Sequence, residues 1–353
     1  MVDVEEAKKP KALEKSKVSK SKDALFDAGA DFLSFDDIGA KKKPEQTSLE
    51  EHMQDKYNRE VNYPWISDST LKTKDIHTFL HNEILDYVKW IEPSQEDRSS
   101  REGLVKKIKR VVKDIYPDAV VMVFGSCATG LNLPNSDIDL LVYYPEVKEI
   151  TMLNKLATNL VRHIEVQSIE PLKYTKVPLI KLQEKHTQIN VDISFNRTNG
   201  IYCVKLVKFL QKKYPELRPL ILILKAFLKS RELNETYHGG VGSFLLTMLV
   251  TSYLQRKYKE GGTDKMDLGK HLIGFFYLYG QVFNYDYVGI SIRKEGSYFS
   301  KEKRGWESHD QNRSRLSVEN PQDPEVDIGR PAYNIKRVQR AFQHAYDTLI
   351  YNN

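Results

Sequence analysis

Phe124-Gly125-Ser126-Cys127-Ala128-Thr129-Gly130-Leu131-Asn132-Leu133-Pro134-Asn135-Ser136-Asp137-Ile138-Asp139-Leu140-Leu141-Val142 is the stretch on which the fold turns. It opens with a Gly-Ser step after the apolar run Val120–Phe124 and closes with two aspartates leading into Leu140–Val142. Residues i and i+2 of a strand share a face and lie about 7 Å apart along the backbone. Asp137 and Asp139 are thus expected to converge on a pair of metal ions while Ile138 points into the core. The turn at Gly125-Ser126 offers backbone N–H groups and a hydroxyl to a phosphate. An isolated Asp-x-Asp is usually a solvated loop and an isolated Gly-Ser a turn. In this order, bracketed by apolar strand runs, they point to nucleotidyl transfer.

A third carboxylate stands in Ile189-Asn190-Val191-Asp192-Ile193-Ser194-Phe195. Apolar and polar residues alternate here, so Asp192 lies on the face opposite Val191 and Ile193. An unpaired carboxylate mid-strand is costly to bury without a metal or a partner. Asp192 therefore completes a candidate catalytic and metal-binding triad with Asp137 and Asp139.

Residues 1–60 hold 12 Lys+Arg against 14 Asp+Glu, and the rest of the chain 42 against 34, so the expected folded part is the basic part. That balance suits a polyanionic partner but does not separate RNA from DNA or from a membrane surface. Two cysteines, Cys127 and Cys203, build neither a disulfide framework nor a zinc site. No signal-peptide core or apolar run of about 18 residues is seen, which predicts a soluble intracellular protein without membrane attachment. Residues 1–60 read as a disordered arm. Within it, Phe26, Phe32, Leu33 and Phe35 among four aspartates form an expected docking segment, and Lys41-Lys42-Lys43 is a short basic run suited to nuclear import.

Helical spacing runs through Ile76, Phe79, Leu80, Ile84, Leu85 and Val88 up to Pro93. Ser94 with Asp97 is a capping-box pattern opening a helix over 95–116, whose charged face reads as solvated. Helices are expected at 151–164, 201–214, 217–231, 243–258, 268–283 and 333–350, with the aromatics of 275–283 in the core. Residues 286–318 read as a basic hairpin interleaved with Tyr298, Phe299 and Trp306. Such a pattern suits single-stranded nucleic acid, although a solvated hairpin explains it equally well.

The Gly-Ser…Asp-x-Asp stretch resembles the signature of the DNA polymerase β-like nucleotidyltransferases. The fuller string Phe-Gly-Ser…Thr-Gly-Leu-x-Leu-Pro-x-Ser-Asp-Ile-Asp is similar to that of the noncanonical poly(A) polymerases of the nuclear TRAMP complex. The resemblance runs from about Tyr63 to the end of the chain. It implies an α+β fold: a nucleotidyltransferase (polymerase β-like) mixed-sheet catalytic domain over 94–200 and a mainly helical central/PAP-associated domain. The latter would comprise 61–93 and 201–353, with a nucleotide recognition loop at 319–332.

The resemblance also implies an activity: template-independent addition of AMP from ATP to the 3′ end of nuclear RNA, using two Mg2+ or Mn2+ ions. Gly125 and Ser126 would hold the terminal phosphates, Lys225 and Lys229 would bind phosphate, and Ser243 would hydrogen-bond the triphosphate. Phe244 would stack on the base and Gly200 would line the sugar and base pocket. Asp327 and Arg330 fall in the recognition loop. There Val326 stands where adenylyl-adding relatives usually have Asn and uridylyl-adding relatives often have His. A valine cannot read a base edge, so discrimination against GTP and CTP is expected to be loose, with Asp327 accepting from the adenine amine. The family's nuclear members lack an RNA-binding domain of their own, which implies a zinc-knuckle RNA-binding protein and an RNA helicase as partners, feeding the exosome. The rival readings are a terminal uridylyltransferase and a catalytically inactive scaffold.

Overall fold

The computed structural model describes residues 63–175, 177–261, 267–307 and 315–351. The N-terminal arm, its acidic-aromatic segment, its basic run and Arg313 lie outside the described residues.

After a short helix α1 (Asp68–Leu71), helix α2 runs Ile76–Trp90 and α3 runs Gln95–Ile115. Helix α3 starts where the sequence says it should. The Ser94 hydroxyl accepts from the Asp97 N–H, and the Asp97 carboxylate accepts from the Ser94 N–H. Its buried side chains are Leu104, Ile108, Val111 and Val112. They form one stripe at helical spacing, so the helix docks on a single face.

Strand β1 (Val120–Phe124) leads through the one-turn helix α4 (Gly125–Thr129) to β2 (Ile138–Tyr143). Helix α5 (Glu149–His163) and strands β3 (Val166–Leu172), β4 (Leu179–Glu184) and β5 (Asn190–Phe195) complete a five-stranded sheet of order β1-β2-β5-β4-β3. Only β2 and β5 run parallel; the other neighbours are antiparallel. Ile138, Leu140, Val142, Val191, Ile193 and Phe195 share one core with α3 and α5. Period-2 alternation then sends Asp139 and Asp192 to the opposite face of the sheet.

Helices α6 (Asn199–Lys213), α7 (Leu217–Lys229), α8 (Ser243–Lys259), α9 (Leu268–Tyr277) and α10 (Ile335–Tyr351) follow. With α2 they build a second apolar core, into which Leu131 and Leu133 of the signature loop also insert. The fold is α+β. Among the described residues, no helix is long and apolar enough to cross a membrane.

Two expectations change. The helix read as 268–283 leaves α geometry at Tyr277 and passes into a π turn, Leu278–Val282. Here a Cβ on Gly280 would stand 2.6 Å from the Gln343 backbone N, so α10 presses directly on this turn. The basic hairpin is also shorter than read: β6 (Val288–Ser291) pairs with β7 (Ser297–Ser300), and a 3-10 turn follows at Glu302–Arg304.

Much of the charge and aromatic surface of that hairpin is consumed internally. Lys301 is 2% exposed and donates to the carbonyls of Tyr285 and Arg315. Arg304 stacks on Phe299 at 4.1 Å and reaches the Glu319 carboxylate at 2.6 Å. Phe299 meets Trp306 edge-on. Glu319, almost fully buried, also bonds the Ser291 hydroxyl and so fixes the start of loop 319–332. Glu319→Ala removes the carboxylate that Arg304 and the Ser291 hydroxyl reach and is expected to cost about 3 kcal/mol, read as a shift in the urea midpoint. Glu319→Gln, which keeps a hydrogen bond, should cost less.

Candidate active site

The register of the parallel pair sets Asp139 directly beside Asp192, and that of the antiparallel pair sets Phe124 beside Asp139. Strand β2 begins at Ile138, so Asp137 stands one residue ahead of it rather than within it. Asp137 and Asp139 nevertheless line one cavity of ≈ 280 Å³ with Ser126, Lys225, Lys229 and Ser243. A neighbouring cavity of ≈ 370 Å³ shares Ser126, Asp139, Lys225 and Ser243, and adds Gly200 and Phe244 among its more apolar walls. The first has the polar lining a phosphate chain needs, and the second the apolar lining of a nucleoside pocket.

Carboxylates crowded on a half-closed face repel one another. Burial, then Asp192 and Asp137, push the Asp139 carboxyl up to about 6, with Lys225 and the Ser126 backbone N–H pulling the other way. Burial also raises Asp192, opposed by Lys181 at 3.9 Å. Burial lowers the Lys225 ammonium to about 8, partly offset by Cys127 and Asp139. Lys225 donates to the Leu131 carbonyl at 2.6 Å, which holds its Nζ at the junction of the two cavities.

Two glycines are required by contact. Gly125 has φ +63°, and a Cβ there would sit 1.9 Å from Asp139 Oδ2. A Cβ on Gly200 would sit 2.6 Å from the Phe124 ring. The Ser126 N–H is directed at Asp139, so of the two phosphate-facing groups read from the sequence its hydroxyl is the one left to the cavities.

Hard oxygen donors of this kind suit Mg2+ or Mn2+. Among the described residues no group of three or more His, Cys, Asp or Glu side chains closes into a metal cage. An open set fits Mg2+ better than a closed one, because that ion keeps waters and takes substrate phosphate oxygens beside one or two carboxylates. Three neighbouring carboxylates, Asp137, Asp139 and Asp192, opposed by Lys181 and Lys225, leave negative charge for cations to balance.

The recognition loop lies apart from both cavities' linings. Asp327 Oδ1 accepts from the N–H groups of Val318 and Gly329 at 2.9 and 2.8 Å, closing the loop on itself. Val326 and Arg330 are exposed. Gln322 is the loop residue that reaches the wall of the more apolar cavity, its Nε2 lying 3.5 Å from Cys203 Sγ.

Arg101 escaped the sequence reading. Its Nη1 donates to the Ser136 carbonyl at 2.8 Å and lies 3.7 Å from Cys127 Sγ, which in turn donates to the Asp137 carbonyl. The bonds span 35 residues of chain, and no local pattern on the charged face of α3 separates Arg101 from its solvated neighbours.

Residues 80–212 match the family model "Poly(A) RNA polymerase, mitochondrial-like, central palm domain", and residues 267–326 match "Cid1 family poly A polymerase". Poly(A) RNA polymerase protein 1 of Saccharomyces cerevisiae is 38% identical over 298 residues, which are 82% of this chain and 46% of that protein. The chain thus spans less than half the length of that relative. A Drosophila melanogaster relative described as an inactive non-canonical poly(A) RNA polymerase, Trf4-2, is 34% identical over 77% of this chain and 68% of its own length. The solved polymerase core of TRAMP, an RNA surveillance complex, superposes with a TM-score of 0.74 at 37% identity, over 81% of this chain and 91% of that one. On these grounds the chain belongs to the noncanonical poly(A) RNA polymerases.

Proposed function

We propose that the chain is a template-independent RNA 3′-end adenylyltransferase acting on nuclear RNA with ATP as the nucleotide. The observation that carries this reading is the lateral pairing of Asp139 with Asp192 on the free face of the sheet, with Asp137 beside them. Asp137 and Asp139 open onto a polar cavity shared with Lys225, Lys229 and Ser243, with Asp192 on the strand alongside. Asp137, Asp139 and Asp192 would hold two Mg2+ or Mn2+ ions. When bound, such ions neutralise the triphosphate and lower the pKa of the attacking hydroxyl in an in-line displacement.

The chain's own residues supply positioning and charge, which dominate phosphoryl-transfer catalysis. Lys225 and Lys229 bind the phosphates, and the Ser126 and Ser243 hydroxyls donate to them. Gly200 and Phe244 hold the sugar and base in the apolar cavity. Asp192, at the edge where Lys181 stands, orients the RNA 3′-hydroxyl. Asp327 spends Oδ1 on its own loop, so reading of an adenine amine falls to Oδ2. With the exposed Val326 beside it, discrimination rests on shape.

Primer extension by the purified chain with each of the four nucleotides tests the reading. ATP is expected to be incorporated best, with GTP and CTP within about two orders of magnitude, since a pocket lacking a dedicated hydrogen-bond reader discriminates weakly. Equal use of UTP and ATP would defeat the adenylyl assignment, and preference for UTP would identify a uridylyltransferase. The inactive relative makes a scaffold the other alternative, and the three carboxylates with their phosphate-side lysines argue against it. The family resemblance supports a zinc-knuckle RNA-binding protein and an RNA helicase as partners, a nuclear location and delivery of tailed RNA to the exosome. It likewise supports a catalytic domain over 94–200 and a central domain over 61–93 and 201–353.

A further inference from the structure

Helix α6 faces two ways. Gly200, Cys203, Val204 and Val207 wall the nucleoside cavity. Tyr202 and Phe209 instead stand 57% and 61% exposed, a costly placement for two large rings on a helix that begins at the site. At 100° per residue, positions 202, 205, 209 and 212 fall on one side of the helix. That side therefore reads Tyr202, Lys205, Phe209, Lys212, with Lys208 flanking it, and all five are exposed. The helix contains four lysines and no carboxylate. Lys205 Nζ lies 5.9 Å from the Tyr202 ring centroid, so cation and ring already share one surface.

Rings offered face-out at intervals, with cations between them, are what a single strand of nucleic acid binds: bases stack and phosphates pair. From Gly200 to Phe209 the helix rises about 14 Å, the length of about four stacked nucleotides. We propose that the exposed face of α6 is the track for the RNA body upstream of its 3′ end, Tyr202 and Phe209 stacking on bases and Lys205, Lys208 and Lys212 pairing with phosphates. This rests on the transferase reading for what the track feeds. A protein surface docking the same face is the competing occupant, but a helix with four lysines and no carboxylate of its own favours a polyanion.

The test measures binding and turnover separately, using the full chain and a 5′-labelled 15-nucleotide oligoadenylate. Stacking on one ring changes affinity by about five- to a hundredfold. Tyr202→Ala/Phe209→Ala is expected to weaken anisotropy-measured binding at least about tenfold and to raise the RNA KM likewise. The KM for ATP, and kcat at saturating RNA, should stay within twofold. A trinucleotide primer, too short to reach Phe209, should lose much less. Tyr202→Trp/Phe209→Trp should restore binding, and Lys205→Gln/Lys208→Gln/Lys212→Gln should flatten the log–log salt slope by about two. Unchanged affinity for the 15-nucleotide RNA, equal loss on both primers, or loss of a protein partner with RNA affinity intact would each overturn the track. If the wild type binds RNA but transfers no nucleotide, the transferase reading fails while the binding comparison still decides the track.

Discussion

Asp139→Asn is expected to abolish nucleotide addition while making the metal-free protein more stable. The loss should be at least about a thousandfold, since a metal-holding carboxylate supports several kcal/mol of transition-state charge stabilisation and each 1.36 kcal/mol is tenfold. The stability gain has its sign fixed by the direction of the pKa shift. The Asp139 carboxyl is raised from 3.8 to about 6 in the folded state, chiefly by burial and by Asp192. The folded state therefore binds this proton more tightly than the unfolded one, and the site loses stability as pH rises between about 4 and 6. Above that window the ionised group costs the metal-free fold about 1–3 kcal/mol. Removing the charge recovers this, giving a rise of about 2–6 °C in Tm at pH 7.5 in chelator. The variant's Tm should also be flatter than wild type across pH 4–6, and added Mg2+ should raise wild type but not the variant. An Asp139→Asn protein that tails RNA normally would remove the basis of the proposed function.

The next largest effect is expected at Gly125, where one added methyl group meets the same carboxylate. Gly125→Ala forces φ +63° on a residue with a Cβ and drives that carbon to 1.9 Å from Asp139 Oδ2. Backbone strain alone costs about 1–2 kcal/mol. The contact must also displace Asp139, and a misplacement of about 1 Å at a catalytic group costs about a hundredfold in rate. Gly130→Ala separates the two contributions. Gly130 has φ +69°, but nothing lies within 4 Å of its would-be Cβ. It should show the stability loss with tailing within a few-fold of wild type. Urea unfolding and primer extension on the two variants check this, and a normally active Gly125→Ala would show that Asp139 has room to move.

Most of the element order was legible, because the patterns that make each element are local. The Ser94–Asp97 box and the alternation at 190–195 act within a few residues of themselves. The place of Asp192 on the face opposite the core is legible because an acid stands on the polar side of a clear period-2 run. Partners that meet only in three dimensions were hidden. Arg101 looked like its solvated neighbours, and Lys181 gave no sign that its strand would lie beside Asp192. The hairpin misled for the converse reason. Composition counts Lys301, Arg304, Phe299 and Trp306 as exposed nucleic-acid binders, whereas tertiary packing turns Lys301 inward and clamps Arg304 to Glu319. The exposed rings of α6 are hidden in the sequence because Tyr202 and Phe209 alternate with apolar residues that do pack inward, and only the fold shows which side of the helix faces out.

Strand β5 is the last of the five to be synthesised and yet the central one, slotting between β2 and β4. A nascent chain that has emerged only as far as residue 185 carries Asp137 and Asp139 beside a β2 edge whose neighbour does not yet exist. Ribosome-bound intermediates of that length can neither assemble the carboxylate centre nor commit an RNA end to extension. Insertion of one six-residue strand closes the sheet and sets the third carboxylate beside the other two in the same event, before the helices that bring Lys225, Lys229 and Ser243 are made.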